Sequence, residues 1–208
     1  MPHRTALLVV VVTHLVGAIG LRSPWADWMI LLTPVHLLLT FGLLFFYSDR
    51  SERLKASLLA IFALGLAVEI LGVNTGLPFG AYVYLEGLGP KVMETPWLIG
   101  LNWALLSLAT GSFAYQFLVD GTRLQRALLA SGLMLALDVL MEPVAHAHRL
   151  WLFAGGVAPW QNYASWAVVA FAAQWLLGTA PLRNPLARPV LLAQACFFAL
   201  SWLWPIGN

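Results

Sequence analysis

Long apolar runs dominate this chain and limit how it can fold. Hydrophobic residues make up 61% of its 208 residues and charged residues only 10%, with a mean hydropathy of +0.81. A helix crosses the hydrocarbon core of a bilayer with about 20 apolar residues. The runs are 5–21, 28–47, 54–72, 96–118, 126–144, 163–180 and 189–205. We therefore predict an all-α fold, a polytopic membrane helical bundle of about seven transmembrane helices that forms one integral membrane domain over residues 1–208.

Positive charges are unevenly divided between the two sides of this predicted bundle. Three of the eleven Lys and Arg residues fall in odd-numbered loops, namely Arg22, Lys91 and Arg149. The rest lie at the N-terminus or in even-numbered loops: Arg4, Arg50, Arg53, Lys55, Arg123, Arg126, Arg183 and Arg188. Because cytoplasmic loops are richer in Lys and Arg, we expect a cytoplasmic N-terminus and a C-terminus outside. We also expect an integral protein of the bacterial inner membrane. A cleaved signal peptide is the alternative for the first run.

Three acidic residues lie inside the apolar runs, where a charge is costly. They are Glu69, Asp138 and Glu142. A carboxylate near the bilayer centre costs about 2.5–3.5 kcal/mol on the insertion scale, so such residues usually face the bundle interior and have a function. Asp138 and Glu142 are four residues apart and share one helix face, and Pro143 is expected to kink or end the helix after them. With the predicted orientation, all three acids approach the outer half of the membrane.

Amide and aromatic side chains reach the same side from other helices. Asn102 and Trp103 lie early in the fourth helix, while Asn162, Tyr163 and Trp166 open the sixth. Packing between helices is the alternative role for the amides, and an interfacial belt is the alternative for the tryptophans. We predict no metal site, because Pro143 interrupts the spacing from the acids to His146 and His148, which we place at the rim. His14 and His36 are interpreted as packing or interface residues.

The residue inventory excludes several classes of function. Nucleic-acid binding is excluded, because the chain has no polybasic block. The only lysines, Lys55 and Lys91, lie outside the last run, which excludes a retinal Schiff base. A prenyltransferase that uses a diphosphate is disfavoured, because few cations are available to hold the diphosphate. A proton-coupled carrier is disfavoured, because the cytoplasmic halves of the predicted helices have no acids for a proton path. Apolar walls, aromatic rings and protonatable acids favour carbocation chemistry on a hydrocarbon, with a carrier or lipid-binding protein as the alternative.

Four sequence blocks carry a family resemblance. "EILGVNTGLPFGAYVYLEGLGPKV", "TPWLIGLNW", "LDVLMEP" and "PWQNYASW" resemble, in this order, blocks of the membrane carotenoid biosynthesis family of the carotenoid 1′,2′-hydratase and bisanhydrobacterioruberin hydratase type. The similarity runs from Glu69 to Trp166. It implies a hydro-lyase that adds water to the terminal C1′=C2′ double bond of an acyclic carotenoid without a cofactor. The implied partners are the carotenoid, water and membrane lipids, with possible association with other carotenoid-pathway membrane enzymes.

The resemblance also assigns roles to residues. Its acidic motif positions fall on Glu69, Asp138 and Glu142, which become the expected catalytic residues. The expected substrate-binding residues, to which we add Trp160 from the last block, are Phe79, Tyr82, Tyr84, Asn102, Trp103, Trp160, Asn162 and Trp166. This chain departs from the family at residues 151–153, where "WLF" replaces a W-x-W pair.

The expected reaction begins with a carbocation. We hypothesise that Asp138 protonates C2′ and that Glu142 or Glu69 deprotonates the attacking water, although Glu69 could also be the proton donor. A carotenoid cyclase that uses the same acids and a non-catalytic carotenoid or lipid carrier are the remaining alternatives.

Overall fold

The computed structural model describes residues 2–178 and 182–205, and these ranges contain eight helices and four short strands. The helices are α1 (His3–Gly20), α2 (Ala26–Leu31), α3 (Thr33–Phe46), α4 (Glu52–Thr75), α5 (Leu98–Phe117), α6 (Arg123–Ala145), α7 (Trp160–Leu177) and α8 (Ala187–Leu203). The strands are β1 (Tyr82–Tyr84), β2 (Lys91–Val92), β3 (Thr95–Pro96) and β4 (Trp151–Phe153).

Four helices of the described ranges are long and apolar enough to cross a membrane, namely α1, α4, α5 and α6. The helices α3 and α8 are apolar but shorter. The expected membrane protein is therefore confirmed, whereas the count of seven spans and the cytoplasmic N-terminus stay predictions. The second predicted run is divided into α2 and α3, and Pro34 lies in the first turn of α3, where proline fits best. The last two positions of the predicted run 163–180 lie outside the described residues.

The prediction of an all-α fold missed an antiparallel ribbon formed by β1 and β4. Tyr82 pairs with Phe153, and Tyr84 pairs with Trp151. Both segments alternate aromatic and aliphatic residues, and successive strand side chains point to opposite faces, so four rings lie on one side of the ribbon. A second pair joins β2 to β3. The aromatic ribbon thus connects the loop after α4 with the loop after α6.

The helix α5 is the buried centre of the bundle and contacts α3, α4, α6, α7 and α8. Small residues let its neighbours approach closely, as is common where membrane helices pack. At Gly65 on α4, an added Cβ would lie 2.5 Å from the indole of Trp103 on α5. Gly65 therefore leaves the space in which Trp103 packs, and Trp103 itself is fully buried.

Replacing Gly65 with alanine should destabilise the bundle, because the added methyl group overlaps the Trp103 indole. Overpacking of this kind costs about 1–3 kcal/mol. We expect a lower thermal unfolding midpoint for Gly65→Ala purified in detergent. The matched control is Gly132→Ala on α6, where nothing lies within 4 Å of the added atom and alanine favours the helix. Equal midpoints for the two variants would contradict this close packing.

Candidate active site

The three intramembrane acids converge between α4, α6 and α7, beside the aromatic ribbon. Glu69 comes from α4, and Asp138 and Glu142 come from α6. The helix α6 continues through Pro143 to Ala145, so both of its acids keep helical spacing. The expectation that Pro143 could end the helix there was wrong. Asp138 is fully buried and Glu69 is 3% exposed.

Three donors surround the Glu69 carboxyl group. Oε2 accepts hydrogen bonds from the hydroxyls of Tyr82, at 2.5 Å, and Tyr84, at 2.7 Å. Oε1 accepts a hydrogen bond from the Trp103 indole N–H at 3.0 Å. All three partners donate, so both oxygens act as acceptors, which is the behaviour of an ionised carboxylate. The ribbon and α5 therefore supply the polar partners that a buried carboxylate needs.

The second group is an acid pair held by one amide. Asn162 Nδ2 donates to Asp138 Oδ2 and to Glu142 Oε1, at 3.1 Å in each case. Glu142 Oε2 also accepts from the Trp151 indole N–H at 3.1 Å. Asp138 Oδ1 is buried and receives no N–H or O–H donor within the described ranges, and its neighbouring charged group is Glu142. Glu142, like Glu69, accepts a donor on each oxygen, so the pair retains a site for a proton at Asp138 Oδ1.

Aromatic rings line the space around the acids. Trp103 stacks on Trp166, with 4.1 Å between the ring centroids and 21° between the planes. Tyr82 lies 5.3 Å from Phe153 between centroids, and Phe79 lies 6.2 Å from Tyr82. Ring faces attract a positive charge, so this enclosure suits a cationic intermediate.

A small cavity of about 20 Å³ lies within this enclosure. Glu69 and Glu142 border it together with Tyr82, Tyr84 and Asn162. A space of about 10–15 Å³ accessible to a water-sized sphere is enough for one water molecule with polar partners. The cavity therefore has room for one water beside two carboxyl groups. Asp138 does not border it and lies behind Glu142 and Asn162.

A second, large cavity of about 320 Å³ lies on the other side of Ile99 and Trp151, which border both spaces. Its wall is mainly apolar. Exposed residues of α1 and α3, including Val16 and Val35, also line it, so it opens at the lateral surface of the bundle. We call it the large cavity below.

Most of the predicted site residues come together here. The acid sites and their enclosure include Glu69, Asp138, Glu142, Phe79, Tyr82, Tyr84, Trp103, Asn162 and Trp166. Asn102 instead borders the large cavity. Trp160 is 80% exposed and lies apart from the cluster, because it precedes Asn162 by two residues and so lies on nearly the opposite side of α7.

Two contributors, Trp151 and Phe153, were not among the predicted site residues. Their signal was the alternation of "WLF" against "YVY", which is typical of paired strands. His148 was also placed wrongly at the rim. It is buried and borders the large cavity, whereas His146 is exposed.

The two tyrosines should stay protonated in the folded protein. Burial, followed by the negative charge of Glu69, raises the pKa of both Tyr82 and Tyr84 above the ordinary value. The folded chain then keeps protons that the unfolded chain releases above about pH 10, so stability should fall as the pH rises through that range.

Tyrosinate absorbance tests this expectation. Folded wild type and the double variant Tyr82→Phe/Tyr84→Phe should give the same titration up to the pH at which they unfold. The denatured chains should differ, because wild type has five tyrosines and the variant two fewer. A larger tyrosinate signal from folded wild type than from the folded variant would contradict the burial of these hydroxyls.

Comparison with known proteins relates the chain to carotenoid biosynthesis. Bisanhydrobacterioruberin hydratase of Haloarcula japonica is 29% identical over 168 residues, which cover 74% of this chain and 56% of that protein. The chain thus spans little more than half of its relative's length. No solved structure matches the chain. The family of carotenoid biosynthesis proteins matches residues 28–204. The chain belongs to the carotenoid biosynthesis protein family.

Proposed function

We propose that this protein is a carotenoid hydratase, a hydro-lyase that adds water to the terminal C1′=C2′ double bond of an acyclic carotenoid end group. The observation that carries the proposal is the pairing of a buried acid cluster with a ring-lined cavity that has room for one water. Membership of a carotenoid biosynthesis family and similarity to a protein named as a hydratase support the same chemistry. The bacterial inner membrane and association with other pathway enzymes remain predictions.

Hydrogen bonding supports different roles for the acids. Glu69 accepts three donors and acts as the anion that stabilises positive charge. The acid pair of Asp138 and Glu142 carries the proton. Donors reach both Glu142 oxygens but leave Asp138 Oδ1 free among the described residues, so the proton rests on Asp138 and passes to Glu142, which borders the small cavity and delivers it to carbon. This assignment differs from the sequence-based hypothesis, in which Asp138 itself protonates C2′.

Hydration then proceeds in two steps that conserve atoms and charge. The Glu142 carboxyl proton adds to C2′, the π electrons form the new C–H bond, and a tertiary cation remains at C1′. The oxygen of the cavity water bonds to C1′, and one water proton passes to the Glu142 carboxylate. One carboxyl group can serve both steps because C1′ and C2′ are bonded neighbours. The product is a tertiary alcohol, and Glu142 is protonated again.

The surroundings lower the energy of the cation. The Glu69 carboxylate and the faces of Tyr82 and Trp166 provide negative potential beside the small cavity. The polyene occupies the large cavity and enters it from the bilayer between α1 and α3. Ile99 and Trp151 form the boundary at which the end group meets the acids.

The activity can be tested in a bacterial host that produces lycopene, with pigments analysed by liquid chromatography and mass spectrometry. We expect products heavier by one or two waters. A cyclised isomer of unchanged mass would identify a cyclase. Unchanged lycopene that copurifies with the protein would indicate a carrier. Either result would contradict hydration.

Variants of the acids test the assigned roles. Glu142→Gln should lose activity by about 100-fold or more, because it removes the proton donor. Asp138→Asn should lose less, since Glu142 remains, and Glu69→Gln should slow cation formation. The control is Asp120→Asn, which changes an exposed acid in a loop outside the site. Detergent-extracted protein levels normalise the product yields.

The relative losses decide between the two proton donors. A greater loss in Asp138→Asn than in Glu142→Gln would favour direct protonation by Asp138. Full activity in both Asp138→Asn and Glu69→Gln would contradict the catalytic assignment of the cluster.

A further inference from the structure

The wall of the large cavity includes polar side chains that the proposed reaction does not use. His14 and His36 lie with their ring centroids 4.4 Å apart in a T-shaped contact. His148 and Gln194 border the same space. The Nε2 atoms of the three histidines and Oε1 of Gln194 are buried, and they have no hydrogen-bond partner within the described ranges. We call these four residues the polar wall.

Unpartnered buried polar atoms are uncommon, so four around one cavity suggest a ligand group. Within residues 2–178 and 182–205, no three His, Cys, Asp or Glu side chains are placed to hold a metal ion. Among the described residues, no carboxylate borders the cavity. Burial, followed by the positive charge of Arg22, lowers the pKa of His148 to about 4, so this ring is neutral near pH 7. The polar wall therefore suits a neutral polar group.

The hydrogen bond of His14 determines which kind of group fits. His14 Nδ1 lies 2.8 Å from the carbonyl oxygen of Val10, which can only accept. Nδ1 therefore carries the hydrogen, and in a neutral ring Nε2 is then an acceptor. Gln194 Oε1 is an acceptor as well. The polar wall thus needs a donor, which a hydroxyl supplies and which a ketone or an ether lacks.

We propose that the large cavity binds an acyclic isoprenoid that carries a hydroxyl group, and that this hydroxyl donates a hydrogen bond to His14 Nε2. The isoprenoid part rests on the proposed function, whereas the hydroxyl part rests on the polar wall. The hydroxyl oxygen can in turn accept from a ring N–H of His36 or His148. Because Trp151 and Ile99 also border the acid site, a ligand held by the polar wall lies next to the reacting groups.

Binding of matched ligands to the full-length protein in nanodiscs tests this proposal. The probes are lycopene, its monohydrated alcohol and the methyl ether of that alcohol, and tryptophan quenching reports their affinities. All measurements use a Glu142→Gln background, which lacks the proposed proton donor and does not alter the lining of the large cavity, so that turnover does not interfere. One hydrogen bond gained in an apolar site should make the alcohol bind about tenfold tighter than either other ligand.

Variants of the polar wall make the test specific. His14→Phe keeps a ring of similar shape but removes the acceptor, so the preference for the alcohol should fall to about one. Gln194→Leu, a second variant of the polar wall, should reduce the preference for the alcohol. It replaces His14→Phe in the test if that variant does not fold. His146→Phe is the matched control, because His146 is exposed and does not border the cavity. It should keep the full preference.

Equal affinities for the three ligands in the background protein would overturn the proposal, as would an unchanged preference in both wall variants. This readout does not depend on hydration, so an alcohol preference in a protein that never hydrates lycopene would refute only the proposed function. Kinetics with the unaltered protein then identify the source of the hydroxyl. If the alcohol is turned over faster than lycopene, the polar wall binds a hydroxyl of the substrate. If the alcohol inhibits the enzyme and is not turned over, the polar wall binds the hydroxyl of the product.

Discussion

The structure depends on placing three carboxyl groups inside an apolar bundle. Leaving a buried charge unpaired costs far more than one packing contact contributes, so each acid requires polar partners from other segments. Glu69 draws its donors from the ribbon and from α5, and the acid pair draws its donors from α7 and from β4. The arrangement of the helices and the ribbon around the site follows from this need. The same contacts that stabilise the acids also fix their positions.

The number of donors separates the acids chemically. Glu69 receives two hydroxyl donors on one oxygen and an indole donor on the other, as an anion bound in a protein site would. In the acid pair, Asp138 Oδ1 receives no donor among the described residues and so retains a place for a proton. An enzyme that protonates a double bond and then stabilises the cation needs one group of each kind. The bundle provides both within one ring-lined enclosure. In the part of the chain that the structure describes, no charged side chain other than the acids borders the small cavity.

The acids could be found from the sequence, because an acidic residue within an apolar run is recognised from its sequence neighbours alone. Asp138 and Glu142 share a face by helical spacing alone, and hydropathy together with orientation brought Glu69 to the same level. Trp151 could not be found in this way, because its position depends on pairing with Tyr84 across a long stretch of chain. Trp160 was grouped with its block although helix geometry turns it away. The division of one apolar run into two helices, as between α2 and α3, also depends on packing, which hydropathy does not reflect.

The ribbon has a consequence for how related chains can vary. Tyr82, Tyr84, Trp151 and Phe153 face the site, while Val83 is 54% exposed on the opposite face. An insertion of one residue within either strand would turn the residues that follow it in that strand to the opposite face, and their rings would then point away from the acids. Loop length can therefore drift on either side of the strands, but not within them. In β1 and β4, the alternation of inward and outward positions is therefore more constrained than the identity of the outward residues.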